Sequence, residues 1–184
     1  MNPTPELLKR CCEDDRRAHM ELYRLCFGFI FTVCRRYYVN RDDIESSLNG
    51  VFFKMIKGMK GYLDKDRMVP FELWVRRIAI NHVTDEFRKN RRYRETIDLS
   101  LPLEEMPESF EDSVKFSTEK IQSAISQLSP MSRAVFNLYV VEGYKHEEIA
   151  DMLEISPNTS KVHLHRAKKQ LRDLLGGMNQ VIMQ

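Results

Sequence analysis

Two sets of residues in this 184-residue chain have types and spacings that could do chemistry. In the first, Lys161, His165, Lys168, Lys169 and Arg172 recur at helical spacing beside Leu164, Ala167, Leu171, Leu174 and Leu175. Arg166 lies further round, and no acid interrupts 158–172. Such a helix can lie in the major groove of DNA, with its N-terminal amides and Asn158 or Thr159 near phosphate and Lys161, His165 and Arg166 near base edges. In the second, Arg77, Asn81, Thr84, Asp85 and Arg88 fall opposite an apolar stripe and run into Arg88, Lys89, Arg91, Arg92 and Arg94, five bases in seven residues. Polar readers with aromatics nearby (Tyr62, Phe71, Trp74, Tyr93) suit single-stranded or melting DNA, whose bases can be flipped and stacked. Trp74 itself falls on the apolar stripe and is expected in the core.

Catalytic patterns are missing. There is no Gly-rich phosphate loop, no Cys/His set at zinc spacing and no nucleophile elbow, so no catalytic residue, cofactor or metal is expected, and the chain does not read as an enzyme. His163 and His165 are two residues apart and diverge on a helix. Nothing near Cys11-Cys12 marks a lowered thiol pKa. Four clustered cysteines (Cys11, Cys12, Cys26, Cys34) are too few for a disulfide framework and suit a reducing cytosol. No apolar run approaches the roughly 18 residues that span a bilayer, and Met1 to Asp15 is no signal peptide, so a cytoplasmic protein without membrane insertion is expected.

The elements that must position these residues are helices. The chain is 42% hydrophobic and 30% charged, with only 7 glycines, and its apolar residues recur at helical spacing. Leu22, Cys26, Phe29, Ile30, Val33 and Tyr37 form one face. Asp42, with Glu45 three residues on, is expected to cap a helix carrying Ile44, Leu48, Val51, Phe52, Met55, Ile56 and Met59 and stopping near Gly61. A loop, Tyr62 to Val69, follows; Pro70 then opens a helix with Phe71, Trp74, Val75, Ile78, Ala79, Val83 and Phe87 buried.

Net charge is +2, but its distribution is uneven. Residues 1–94 carry 20 basic and 13 acidic groups, 95–116 carry 1 and 7, and 117–184 carry 8 and 7. A basic block beside an acidic strip points to a polyanion partner. With Pro102 and Pro107, the strip reads as a linker between two small helical domains. In the second, Ser129-Pro130 and Ser156-Pro157 each offer a hydroxyl cap followed by Pro at the first helical position. A helix closed by Gly143, a short helix at about Lys145 to Leu153, the turn Glu154, Ile155, Ser156 and a last helix ending at Gly176-Gly177 make a helix-turn-helix, with Ala150 allowing close approach.

At this point the residues resemble a family. The segment Phe71-Glu72-Leu73-Trp74-Val75-Arg76-Arg77-Ile78-Ala79-Ile80-Asn81-His82, with Asp85 and Arg88, is similar to region two of an extracytoplasmic-function (ECF) sigma factor. Leu128-Ser129-Pro130, Glu147-Glu148-Ile149-Ala150, Ile155-Ser156-Pro157-Asn158-Thr159 and Arg166-Ala167 stand in the order of that family's region four. The resemblance implies an all-α promoter-specificity subunit of RNA polymerase, with core polymerase and promoter DNA as partners and control by an anti-sigma factor or another recruiting protein left open. It implies a region-two domain over 1–94 and a region-four domain over 117–184. Carried over by position, Glu45, Ser46, Asn49, Gly50, Phe53 and Lys54 would face the polymerase clamp. Tyr62, Lys65, Arg67, Arg77, Asn81, Thr84, Asp85, Arg88, Lys89, Arg91 and Arg92 would meet the minus-ten element, with a flipped base held at the Tyr62–Met68 loop. Lys145, His146, Asn158, Thr159, Lys161, His165, Arg166, Lys168 and Lys169 would meet the minus-thirty-five element.

Four departures from the family pattern bear on this. Where its clamp helix reads like Glu-Asp-Leu-Val-Gln-Glu-Val-Phe, this chain has Glu45, Ser46, Ser47, Leu48, Asn49, Gly50, Val51 and Phe52, losing polar groups. Gly50 costs roughly 1 kcal/mol of helix propensity, and Phe53 lies off the buried stripe as a candidate apolar anchor. Ile80 stands where a basic residue is frequent. Glu154 replaces the usual turn glycine, so the turn must avoid a left-handed residue or accept strain. The alternative from another class is a stand-alone helix-turn-helix regulator binding duplex DNA as a dimer.

Overall fold

Thr4 accepts a hydrogen bond from the Leu7 amide at 3.2 Å and Pro5 takes the first helical position, so the chain is helical almost from its start. This helix, α1 (Pro5–Cys12), buries Leu7, Leu8 and Cys11. Its two turns are too short to show a helical period in the sequence. The computed structural model describes residues 1–64, 69–90 and 118–181, and among these every regular element is helical. The expected 95–116 linker lies outside the described residues, as do Lys65, Arg67, Arg91 and Arg92. The chain divides into two units, Met1–Glu86 and Phe87–Gln184.

In the first unit Asp15 turns the corner into α2 (Arg16–Cys34). Its carboxylate accepts from the Arg17 and Ala18 amides at 2.8 and 3.3 Å and pairs with Arg10 at 2.6 Å. Leu22, Cys26, Ile30, Val33 and Tyr37 are buried, while Phe29 is half-buried. The third helix, α3 (Arg41–Asp64), departs from expectation at both ends. Asn40, not Asp42, caps it: its Oδ1 accepts from the Asp42 amide at 3.0 Å and its carbonyl from Ile44. At the other end the helix does not stop near Gly61 but runs on to Asp64. The reason is Tyr62. Its ring stacks on Trp74 with centroids 4.6 Å apart, meets Phe71 edge-on at 5.6 Å, and its hydroxyl donates to the Val69 carbonyl at 3.1 Å. Burying that ring contributes roughly 1.5–3 kcal/mol, more than the roughly 1 kcal/mol a helical glycine costs.

The fourth helix, α4 (Phe71–Asn90), packs antiparallel on α3. Pro70 contributes its carbonyl to the Trp74 amide at 3.1 Å, one position earlier than expected of a first helical residue. The buried face is Phe71, Val75, Ala79, Ile80, Val83 and Thr84, with Trp74 half-buried. Ile80 thus belongs to the core, which explains why an apolar residue stands there.

In the second unit α5 (Thr118–Ser126), α6 (Pro130–Phe136), a π turn (Asn137–Val141), α7 (His146–Leu153) and α8 (Pro157–Val181) enclose Ala124, Leu128, Ala167 and Leu171, with Leu138, Ile149 and Leu153 buried beside them. Ser129 caps α6 by accepting from the Ser132 amide at 3.3 Å, and Ser156 caps α8 by accepting from Thr159 at 3.0 Å. Arg133 is buried, a placement its charge and spacing do not signal. Its guanidinium donates to the carbonyls of Ile125, Ser126 and Leu128 at 3.2, 2.8 and 2.7 Å, satisfying the C-terminal end of α5. Gly143 follows the π turn with φ +79°, a backbone suited to glycine. Within the π turn Leu138 is buried and Tyr139 exposed. The last helix continues through Gly176 and Gly177 to Val181.

Candidate nucleic-acid interface

The helix-turn-helix is built from α7, the residues Glu154, Ile155 and Ser156, and α8. The Lys145 amide donates to the Glu148 carboxylate at 2.7 Å, closing the start of α7. Its end accepts strain: Glu154 adopts the left-handed conformation with φ 54° and ψ 42°, and the Ile155 amide donates to the Ala150 carbonyl at 3.0 Å. Leu164, Ala167 and Leu171 face inward on α8, with Leu174 and Leu175 partly buried. Asn158, Lys161 and Lys169 are exposed, and His165, Arg166 and Lys168 half-buried. Thr159 is drawn into the cap, its Oγ1 2.8 Å from Ser156 Oγ. Lys145 is exposed at the start of α7.

His146 is placed differently from expectation. Its Nδ1 lies 2.9 Å from Ser160 Oγ on α8, and its ring stacks on Tyr139 with centroids 4.6 Å apart. Burial, reinforced by Lys161, holds the imidazole below its ordinary pKa. His146 is half-buried; His163 is buried, its Nδ1 3.2 Å from Ser132 Oγ, while His165 lies on the half-buried flank. Among the described residues no group of His, Cys, Asp or Glu is arranged to hold a metal.

On α4, Arg77, Asn81 and Lys89 are exposed, with Asp85 and Arg88 half-buried. Thr84 is not part of this surface. It is 3% exposed, and its hydroxyl donates to the carbonyls of Ile80 and Asn81 at 3.1 Å. Ile80, also 3% exposed, lies on the same enclosed face. Tyr62 is likewise a core residue, not a loop residue open to a flipped base. Asp85 pairs with Lys54 of α3 at 2.8 Å, which ties the minus-ten candidates to the clamp candidates.

The α3 candidates form an outward surface with one exception. Glu45, Ser46, Asn49, Phe53 and Lys54 are exposed, and Glu45 pairs with Arg41 at 2.8 Å. Phe53 is 59% exposed with Lys57 Nζ 4.2 Å above its ring. Gly50 is the exception: a Cβ there would meet the His82 ring of α4, so it faces the neighbouring helix and not the outside. Aromatic residues of α2 border this surface. Tyr23 donates to Asn49 Oδ1 at 3.3 Å and meets Phe52 edge-on at 5.1 Å, and Phe27 stacks on Phe31 at 5.8 Å. Their four-residue spacing, Tyr23, Phe27 and Phe31, was the signal available in the sequence.

The cysteines stay thiols. Cys11, Cys26 and Cys34 are buried, and burial pushes their pKa values up to about 11, about 12 and about 11, while exposed Cys12 is free as well. No described helix is long and apolar enough to cross a membrane.

A capped helix-turn-helix following a separate helical unit defines a class of two-unit, all-α proteins of the nucleic-acid-binding kind. Comparison with known proteins narrows the class. Residues 118–171 match the family described as Sigma-70, region 4. The chain is 30% identical over 152 residues to RNA polymerase sigma factor CarQ of Myxococcus xanthus, covering 81% of this chain and 82% of that one. It is 28% identical over 160 residues to ECF RNA polymerase sigma factor SigE of Mycolicibacterium smegmatis, covering 84% of this chain and 60% of that relative's length. Among solved structures it is similar to sigma factor RpoE of Bartonella quintana in complex with the anti-sigma factor NepR, with a TM-score of 0.49, 16% identity and 85% and 96% of the two chains covered. The chain belongs to the ECF sigma factors of the sigma-70 family, proteins of transcription initiation.

Proposed function

We propose that this chain binds core RNA polymerase through the exposed face of α3, reads duplex promoter DNA with α8 and holds the melted non-template strand along α4. Residues 1–94 serve polymerase and the minus-ten element, and residues 117–184 the minus-thirty-five element. One observation carries the reading: a helix-turn-helix with a basic second helix and a separate polar stripe on α4 occur in one chain. Asn158, Lys161 and Arg166 supply the α8 contacts, with Lys168 and Lys169 toward phosphate. Arg77, Asn81 and Arg88 offer donors and acceptors to unpaired bases, with Lys89 toward the backbone. The exposed set Glu45, Ser46, Asn49 and Phe53 meets the polymerase, Phe53 as its apolar anchor.

The stand-alone regulator is not favoured, because similarity to a sigma factor covers 81% of the chain, more than residues 95–184 can supply, and so extends into the first block. The test is transcription in vitro with core polymerase and no other sigma factor, on promoter fragments of the host. The expected result is promoter-dependent transcripts with permanganate-reactive thymines upstream of the start. Absence of both, with duplex binding intact, would return the stand-alone regulator.

A further inference from the structure

Helix α8 meets its neighbours through polar as well as apolar groups; an exposed polar contact lies far along it, where Gln170 donates to the Gln127 carbonyl at 3.2 Å, but the buried polar side chains lie in its first turns. Ser160 is fully buried, and its Oγ lies 2.9 Å from Nδ1 of His146 at the start of α7. One turn on, His163 Nδ1 lies 3.2 Å from Oγ of buried Ser132 on α6. The face of the His146 ring is stacked on Tyr139, at an interplanar angle of 23°. Further along α8 the buried contacts are Leu164, Ala167 and Leu171.

The two kinds of contact constrain a helix differently. Apolar contact is non-directional and tolerates a small rotation about the helix axis. Hydrogen bonds weaken steeply off line, and a buried hydroxyl left without its partner is destabilising. Bonds from Ser160 and His163 to two different helices therefore set the rotation of the first turns of α8. That rotation matters at the side-chain tips, which stand roughly 6 Å from the axis, so a turn of about 10° displaces them by about 1 Å.

We infer that His146, through Ser160, is a positioning residue for sequence recognition: it holds α8 at the rotation in which Lys161 and Arg166 reach base edges. This rests on α8 reading duplex DNA as proposed above, and it replaces the expectation that His146 touches DNA itself. Burial keeps the imidazole neutral, which leaves one ring nitrogen free to accept. The His163–Ser132 pair holds the same helix from α6.

Duplexes enriched by the full-length chain from a random library supply the probe, with a scrambled duplex of equal length and composition beside it. Ser160→Ala and His146→Ala should each lower affinity for the enriched duplex about five- to tenfold, and the double variant should be no worse than either alone. Binding of the scrambled duplex and the salt slope should not change. His146→Asn, whose amide can face Ser160 in place of Nδ1, should restore most of the loss. Equal losses on both duplexes, in step with a rise in unfolded protein, would mean support of the fold alone and overturn the inference. So would losses that multiply in the double variant, or Ser160→Ala binding like the wild type, since His146 would then act without Ser160. If the wild-type chain enriches no sequence, the reading of α8 fails and the inference with it. Normal enrichment with indifferent variants overturns the inference alone.

Discussion

Gly50 of α3 faces the imidazole of His82 on α4 so closely that a Cβ would collide with the ring. The glycine is therefore a packing residue. Its absent side chain lets two helices approach where the resemblance placed a polar group directed at polymerase. Glu86 restrains the ring further, its carboxylate 3.5 Å from His82 Nε2.

Gly50→Ala tests this by the sign of its effect. On an exposed helix face the change would stabilise by roughly 1 kcal/mol. Here it should destabilise by about 1–3 kcal/mol, measured by urea unfolding, because the ring must move from a packed site. Adding His82→Ala should recover part of the loss.

Phe53 is exposed, so Phe53→Ala should change stability by no more than about 1 kcal/mol, the scale of its cation–π contact with Lys57. Against core polymerase of the host, the same variant should bind roughly tenfold to a hundredfold more weakly, the equivalent of burying one Phe side chain. Titration of labelled protein into core enzyme measures it. Feeble wild-type binding that ignores Phe53 would favour delivery by another protein.

Lys161→Ala and Arg166→Ala separate base from phosphate contact on α8. A base-edge contact should cost about 1–3 kcal/mol on the enriched duplex and little on a scrambled one, whereas a phosphate contact should weaken both and lower the salt slope by about one. Anisotropy titrations at several salt concentrations distinguish the two.

Glu154→Gly should stabilise the second unit. A side chain in the left-handed region costs roughly 1 kcal/mol that glycine does not, and glycine's greater freedom in the unfolded chain returns only part of it. An increase of about 0.5 kcal/mol in unfolding free energy is expected from calorimetry or denaturant melts.

Acid should weaken the second unit through His146. Its folded pKa lies below the ordinary 6.5, first through burial and then through Lys161; Glu147 opposes this in part, and Lys168 adds the smallest effect. The unfolded chain takes up a proton that the folded chain refuses, so this contribution is complete above pH 6.5 and is lost as pH falls from there through the lowered folded value. Comparing the urea midpoints of wild type and His146→Asn from pH 7 to pH 5 should show a shallower acid slope in the variant.

Much of this protein was determined by local sequence. The Ser129-Pro130 and Ser156-Pro157 caps, the apolar stripe of α2, the helix-turn-helix and the basic flank of α8 follow from periodicity and capping chemistry, which act over a few residues and survive any packing partner. What only the tertiary structure decided concerns contacts between residues far apart in the chain. Tyr62 and Thr84 look like readers by type and spacing, yet Trp74 and Phe71 cover the one, and the other lies with Ile80 on the enclosed face of α4. Gly50 looks like a lost contact until His82 occupies the space beside it. His146 looks like a DNA contact until Ser160 meets it across a helix boundary, and nothing in the spacing of His163 tells that Ser132 meets it. The physical reason is the same in each case: whether a polar side chain faces solvent or a partner depends on which helix packs against its own, and helix periodicity carries no record of that neighbour.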